Sequence, residues 1–277
     1  MRSGRYCGAK GGKVFSLGPQ VDQLSLLNIS PTKNGFFPVA IGTPIRSNYM
    51  PLHVSSVGLE VPDDFPQKPF DAVHARVNSS PRDAVAMFEY GGAWNAVVYR
   101  FVSCARSAET FANSFRTAGP APEPPERFIQ EDALFGFFVN GLSVIESFFY
   151  GLYWIGSMVD TTSFPVRTGD ELKKITVKNT VDEYIKKFAT CPLTDAFSRL
   201  TSTDDYDKWK RIRNILAHRA AYGRAITTTF GGHQEEVVWR VLGEPLNDQF
   251  TTTKRQWLAS TLAELMKGAE IFVDSHL

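Results

Sequence analysis

Apolar residues recur at helical spacing through most of this chain, and the places where that period stops mark its organisation. Trp94, Val97, Val98, Phe101, Val102, Phe111 and Phe115 predict an amphipathic helix from about Arg82 to Thr117. The run Gly119-Pro-Ala-Pro-Glu-Pro-Pro125 ends it, because proline cannot continue the hydrogen-bond ladder. A second long helix is expected over about Glu126 to Val159, a third over about Asp170 to Ala189 closed by Cys191-Pro192, and a last over about Thr252 to Val273. Between them, Thr203-Asp204-Asp205 offers a cap and acids for a helix that buries Trp209, Ile212, Ile215 and Leu216 and stops at Gly223. Residues 225–242 turn β-branched and alternating around Gly231-Gly232, which predicts a hairpin. From Met1 to about Gln67 the chain is rich in Gly, Pro and Ser with only short apolar runs, so short strands and turns are expected there. The predicted architecture is mainly α: a helical bundle over residues 81–277 with a small β-hairpin insertion, preceded by an irregular extension over residues 1–80.

The stretch from Ala133 to Val159 is apolar enough to raise a membrane span. Its polar residues argue otherwise, since a central Glu146 would cost roughly 2.5 to 3.5 kcal/mol on an insertion scale. On a helical wheel Gly136, Asn140, Ser143, Glu146, Ser147, Tyr150 and Gly151 share one side. That small and polar stripe is available to a second helix, a partner subunit or a cleft, and no membrane partner is expected. The chain has 277 residues, 43% of them hydrophobic, which suffices for a sizeable core. A net charge of +1 excludes a globally basic surface, so any nucleic-acid contact must be local. The best local patch is Lys208, Lys210, Arg211, Arg213, Arg219 and Arg224, with Asp207 the only acid beside them; a plain solvated face is its simplest explanation. Three scattered cysteines and an N-terminus without an apolar core point to a reducing cytoplasm and no secretory signal. Gly8 to Lys13 is too short for a phosphate loop and lacks its Ser or Thr.

The chemistry concentrates in Arg213-Asn214-x-x-x-His218. Arginine forks onto phosphate oxygens, and histidine exchanges protons near neutral pH. This segment resembles the R-x(4-6)-H motif of the HEPN superfamily, and the likeness runs from about residue 83 to the end. Arg46 to His53 and Arg211 to His218 also satisfy the bare pattern, but Pro51 interrupts the former and only Arg213 is followed by Asn214 within helical surroundings. The resemblance implies a metal-independent endoribonuclease of a bacterial toxin or antiviral defence type, working without a cofactor. By it, His218 moves the proton, Arg213 stabilises the phosphoryl charge, Asn214 orients either, and Lys210, Arg211 and Arg219 hold RNA phosphates. It also implies a homodimer, because Arg213 and His218 leave one helix about 140° apart and would have to meet across a two-fold axis. Glu146 is a candidate orienting residue, although a structural pairing of Glu146 with Arg213 and a helix-terminal role for His218 explain the same residues. An antitoxin or sensor protein is a further expected partner. Control by nucleotidylation is not expected, since Ala220 stands where such toxins carry tyrosine. His233 with Glu235 and Glu236 is the nearest approach to a metal site and reads as solvated loop. The competing readings are a non-catalytic HEPN module that binds RNA, nucleotide or protein, and a purely structural dimerisation bundle.

Overall fold

The computed structural model describes residues 60–80, 83–218, 223–228 and 235–277, all within the unit Pro44–Leu277. Among them are eight helices: α1 (Gln67–Ser79), α2 (Ala84–Ala118), α3 (Pro124–Val159), α4 (Gly169–Leu172), α5 (Val177–Lys187), α6 (Pro192–Ser202), α7 (Asp204–His218) and α8 (Asp248–His276). Two small antiparallel pairs lie between α7 and α8. β1 (Ala225–Thr228) pairs with β2 (Glu235–Val238), Ala225 facing Val238, and β3 (Arg240–Val241) pairs with β4 (Glu244–Pro245). The turn expected at Gly231-Gly232 lies outside the described residues.

The α2–α3 hairpin is the frame of the bundle. Asp83 caps α2 by accepting from the Val85 and Ala86 amides, both at 3.1 Å. Gly119, at φ 71°, ends it in a conformation that a β-carbon would strain, and Pro124 opens α3 where a missing amide costs nothing. The helices run antiparallel, from Ser114 against Glu126 near the turn, through Cys104 against the Phe137 carbonyl, to Tyr150 against Glu89 at the far end. Their shared core is aromatic, with Trp94, Phe101, Phe111, Phe137, Phe148 and Trp154 all buried. Helix α8 closes the bundle against α1, α2 and α6. Arg255 on α8 holds Asp64 with two nitrogens at 3.0 Å and reaches Glu109 on α2. Although α3 alone among the described helices is long and apolar enough to cross a membrane, most of its apolar window is buried inside the bundle.

Four expectations need correction. Residues 67–79 form α1 and pack their Phe70, Val73 and Val77 into the core, so the helical part begins well before residue 81. The third expected helix is two, because Thr168 and Thr176 each cap a fresh start. Cys191-Pro192 does not merely close α5 but opens α6, proline sitting at the first helical position. Thr203 stands directly before α7 as expected, with Asp204, Asp205 and Asp207 in the first turn, but its hydroxyl donates back to the Leu200 carbonyl of α6 at 2.8 Å.

Candidate functional site

Helix α7 carries the candidate chemistry, and aromatic packing seats it. Trp209 is fully buried against Phe137, Phe138 and Trp257 and donates its indole N–H to the Phe138 carbonyl at 2.9 Å. The indole comes this close because residue 141 is glycine; a β-carbon there would lie 2.1 Å from Trp209 Cζ2. Tyr206 and Ile212 complete the buried face. The acids of the first turn are each matched. Lys208 bridges Asp204 at 3.0 Å and Glu244 at 2.9 Å, the buried Lys254 reaches Asp205 at 2.5 Å, and Lys210 meets Asp207 at 3.3 Å. The two carboxylates hold the Lys208 ammonium protonated above its usual range.

Arg213 turns inward to α3, where its Nη2 donates to Glu146 Oε1 at 2.6 Å. The arginine side chain is 22% exposed and the glutamate 44%, so the pair sits at the edge of the bundle rather than within it. Asn214 is half-buried, and His218 is the exposed last residue of the helix. Since α7 is regular throughout, Arg213 and His218 do point about 140° apart, and one chain does not bring them together. Of the basic patch, Lys208, Lys210 and Arg213 are paired with acids. Arg224 lies 4.0 Å above the Trp239 ring and donates to Gln130 at 2.8 Å. Arg211 is exposed and makes no ion pair or hydrogen bond among the described residues. Arg219 and His233 lie outside the described residues, as do the side chains of Glu235 and Glu236.

The small and polar stripe on α3 faces α2. Arg100 donates to the Ser143 carbonyl at 3.2 Å and to Ser147 Oγ, while Tyr150 donates to Glu89 at 3.0 Å. Beside it opens a groove of about 1060 Å³ between α2, α3, α5 and the start of α7. Arg100, Glu146, Tyr206 and Lys210 stand on its walls, with Phe88 and Ile185 among its apolar residues. Burial, and then the Glu146 carboxylate, push the Tyr206 phenol up to about 12. Its cations are outnumbered by Glu89, Glu146, Asp182 and Asp207, so the groove does not favour a polyanion. The sequence left the stripe open to a second helix, a partner subunit or a cleft, and sequence reasoning missed Arg100; Ser147 also donates to the Ser143 carbonyl at 2.7 Å, so the pair announces no outside donor. No protein family, curated protein or solved structure matches the chain.

Proposed function

We propose that this chain is a metal-independent endoribonuclease of HEPN type, acting in the cytoplasm as a homodimer in a toxin or defence system. The observation that supports it most is an exposed histidine on the last turn of a firmly seated helix, with Arg211, Arg213 and Asn214 in the two preceding turns. In this reading the ribose 2′-oxygen attacks the adjacent phosphorus, the P–O2′ bond forming as the P–O5′ bond breaks. His218 takes the 2′-hydroxyl proton or protonates the departing 5′-oxygen, and water performs the other transfer. The products are a 2′,3′-cyclic phosphate and a 5′-hydroxyl. Glu146 engages one nitrogen of Arg213, leaving its remaining donors for a phosphate bound against the second copy's histidine. Asn214 hydrogen-bonds the histidine or a phosphate oxygen.

The deciding experiment is cleavage of RNA in the presence of EDTA. RNA should be cut, DNA of the same sequence should not, and His218→Ala should lose roughly 10² to 10⁴ in rate. Cleavage that needs added metal, or that survives in a folded His218→Ala protein, refutes the mechanism. The Arg213–Glu146 ion pair favours one alternative, a non-catalytic module binding RNA, nucleotide, or an antitoxin or sensor protein, in which Arg213 is structural.

A further inference from the structure

The regularity of α7 separates its two arginines. Counting from Arg211, His218 is seven residues on, about 20° short of two full turns and about 10.5 Å along the axis. Asn214 lies between them along the axis but to one side around it, about 60° from Arg211 and 40° from His218. These three residues therefore share one face. Arg213 leaves about 160° away, toward α3 and its carboxylate. Arg211 and His218 are open to solvent, Asn214 is half-buried beside them, and Arg213 is mostly covered. The charges differ as well: the neighbouring Lys208, Lys210 and Arg213 are each within 3.3 Å of an acid, whereas Arg211 has no acid among the described residues.

We infer that Arg211, Asn214 and His218 of a single chain form a phosphodiester-binding face, with Arg211 the arginine that serves that chain's own histidine. The inference rests on the ribonuclease reading for its chemistry but not for its geometry. An extended guanidinium and an imidazole starting two turns apart on one face can close on the same phosphodiester, and Asn214 supplies an amide between them. Arg213 then belongs with the histidine of the second copy. The arrangement gives Arg211 a closer part than general attraction of RNA, and Lys210, drawn aside by Asp207, a lesser one.

Two measurements test it. The first follows the His218 ring resonance by NMR on adding a single-stranded oligonucleotide carrying 2′-O-methyl groups, which 2′-attack cannot cleave. In the wild type the resonance should shift. Arg211→Ala should abolish that shift and weaken binding about tenfold, Arg211→Lys should restore part of both, and removing an unrelated surface charge on α8 with Lys267→Ala should change neither. A His218 shift that persists undiminished in a folded Arg211→Ala protein, or that is absent in the wild type, overturns the proposal, and this readout stands whether or not the protein cleaves RNA. The second mixes Arg211→Ala and His218→Ala proteins and allows their subunits to exchange. If the two residues work within one chain, no mixed dimer contains an intact set and activity stays at the level of the variants. If they work across the dimer, half the dimers are mixed and hold one good site of two, so recovery to about a quarter of wild-type cleavage overturns the single-chain assignment. Failure of the ribonuclease reading appears instead as a wild type that binds and shifts His218 but cuts nothing.

Discussion

Replacing Gly141 by alanine should unseat the helix that carries the candidate chemistry. The new methyl group would lie 2.1 Å from Trp209 Cζ2, well inside an ordinary carbon contact of about 3.5 Å, so something must move by more than an ångström. The indole has little room, being fully buried against Phe137, Phe138 and Trp257. Overpacking of this kind costs about 1 to 3 kcal/mol, and breaking the Trp209 bond to the Phe138 carbonyl adds about 1 kcal/mol more. The expected loss of about 2 to 4 kcal/mol corresponds to a fall in Tm of about 4 to 16 °C for a unit of this size. Thermal unfolding followed by circular dichroism measures it, with tryptophan fluorescence reporting the indole environment. Gly92→Ala is the control: its methyl group meets nothing within 4 Å and should instead stabilise α2 by about 0.4 to 1 kcal/mol. If Gly141→Ala is as stable as the wild type with an unchanged emission spectrum, close seating of Trp209 is not what holds α7.

Arg213→Ala should lower both RNA affinity and cleavage rate, whereas His218→Ala should keep most of its affinity; equal affinity losses in the two would contradict the division of roles. Neutralising Lys210, Arg211 and Arg219 together should weaken RNA binding and flatten its salt dependence, most of the effect following Arg211, as filter binding across a salt series would show. For Tyr206, burial raises the folded phenol from an unfolded value near 10 to about 12, so its contribution to stability is complete below the unfolded value and is lost as pH rises through about 12. Tyr206→Phe should accordingly reduce the alkaline sensitivity of unfolding. Asp160 behaves oppositely: Lys187 and the Thr162 and Ser163 amides hold its carboxyl far below the usual range. Asp160→Asn should therefore destabilise the protein at neutral pH, and the difference should shrink as acid protonates the wild-type carboxylate.

The long helices were legible because their apolar period is sustained and their ends are punctuated; α2 and α3 begin and end within about two residues of the expected positions. Two of the failures share one cause, the reading of proline as a stop. Pro192, which by pattern closes a helix, starts α6, and Pro69, in the first turn of α1, conceals that helix within a Gly- and Pro-rich stretch. Of the site, the divergence of Arg213 and His218 followed from spacing alone. The ion pair of Arg213 with Glu146 was one of two open possibilities, because sequence does not fix how two distant helices are rotated toward each other. That rotation is set by Gly141 admitting Trp209, a contact between residues 68 apart that no local pattern announces.

The way charges are matched along α7 gives the helix an electrical direction. Its first turns present Asp204 and Asp207 to solvent, 81% and 63% exposed, each with a lysine beside it. From Lys208 to His218 there are no acids at all, and among the described residues Arg211 has no acid beside it. At physiological salt, where charges are felt over about 8 Å, a polyanion drifting along this surface meets neutrality or repulsion at one end and attraction at the other. It is thereby oriented before any side chain touches it. Raising the salt to about 1 M, where that range shrinks to about 3 Å, would erase the orientation while the buried aromatic seat of the helix stayed in place.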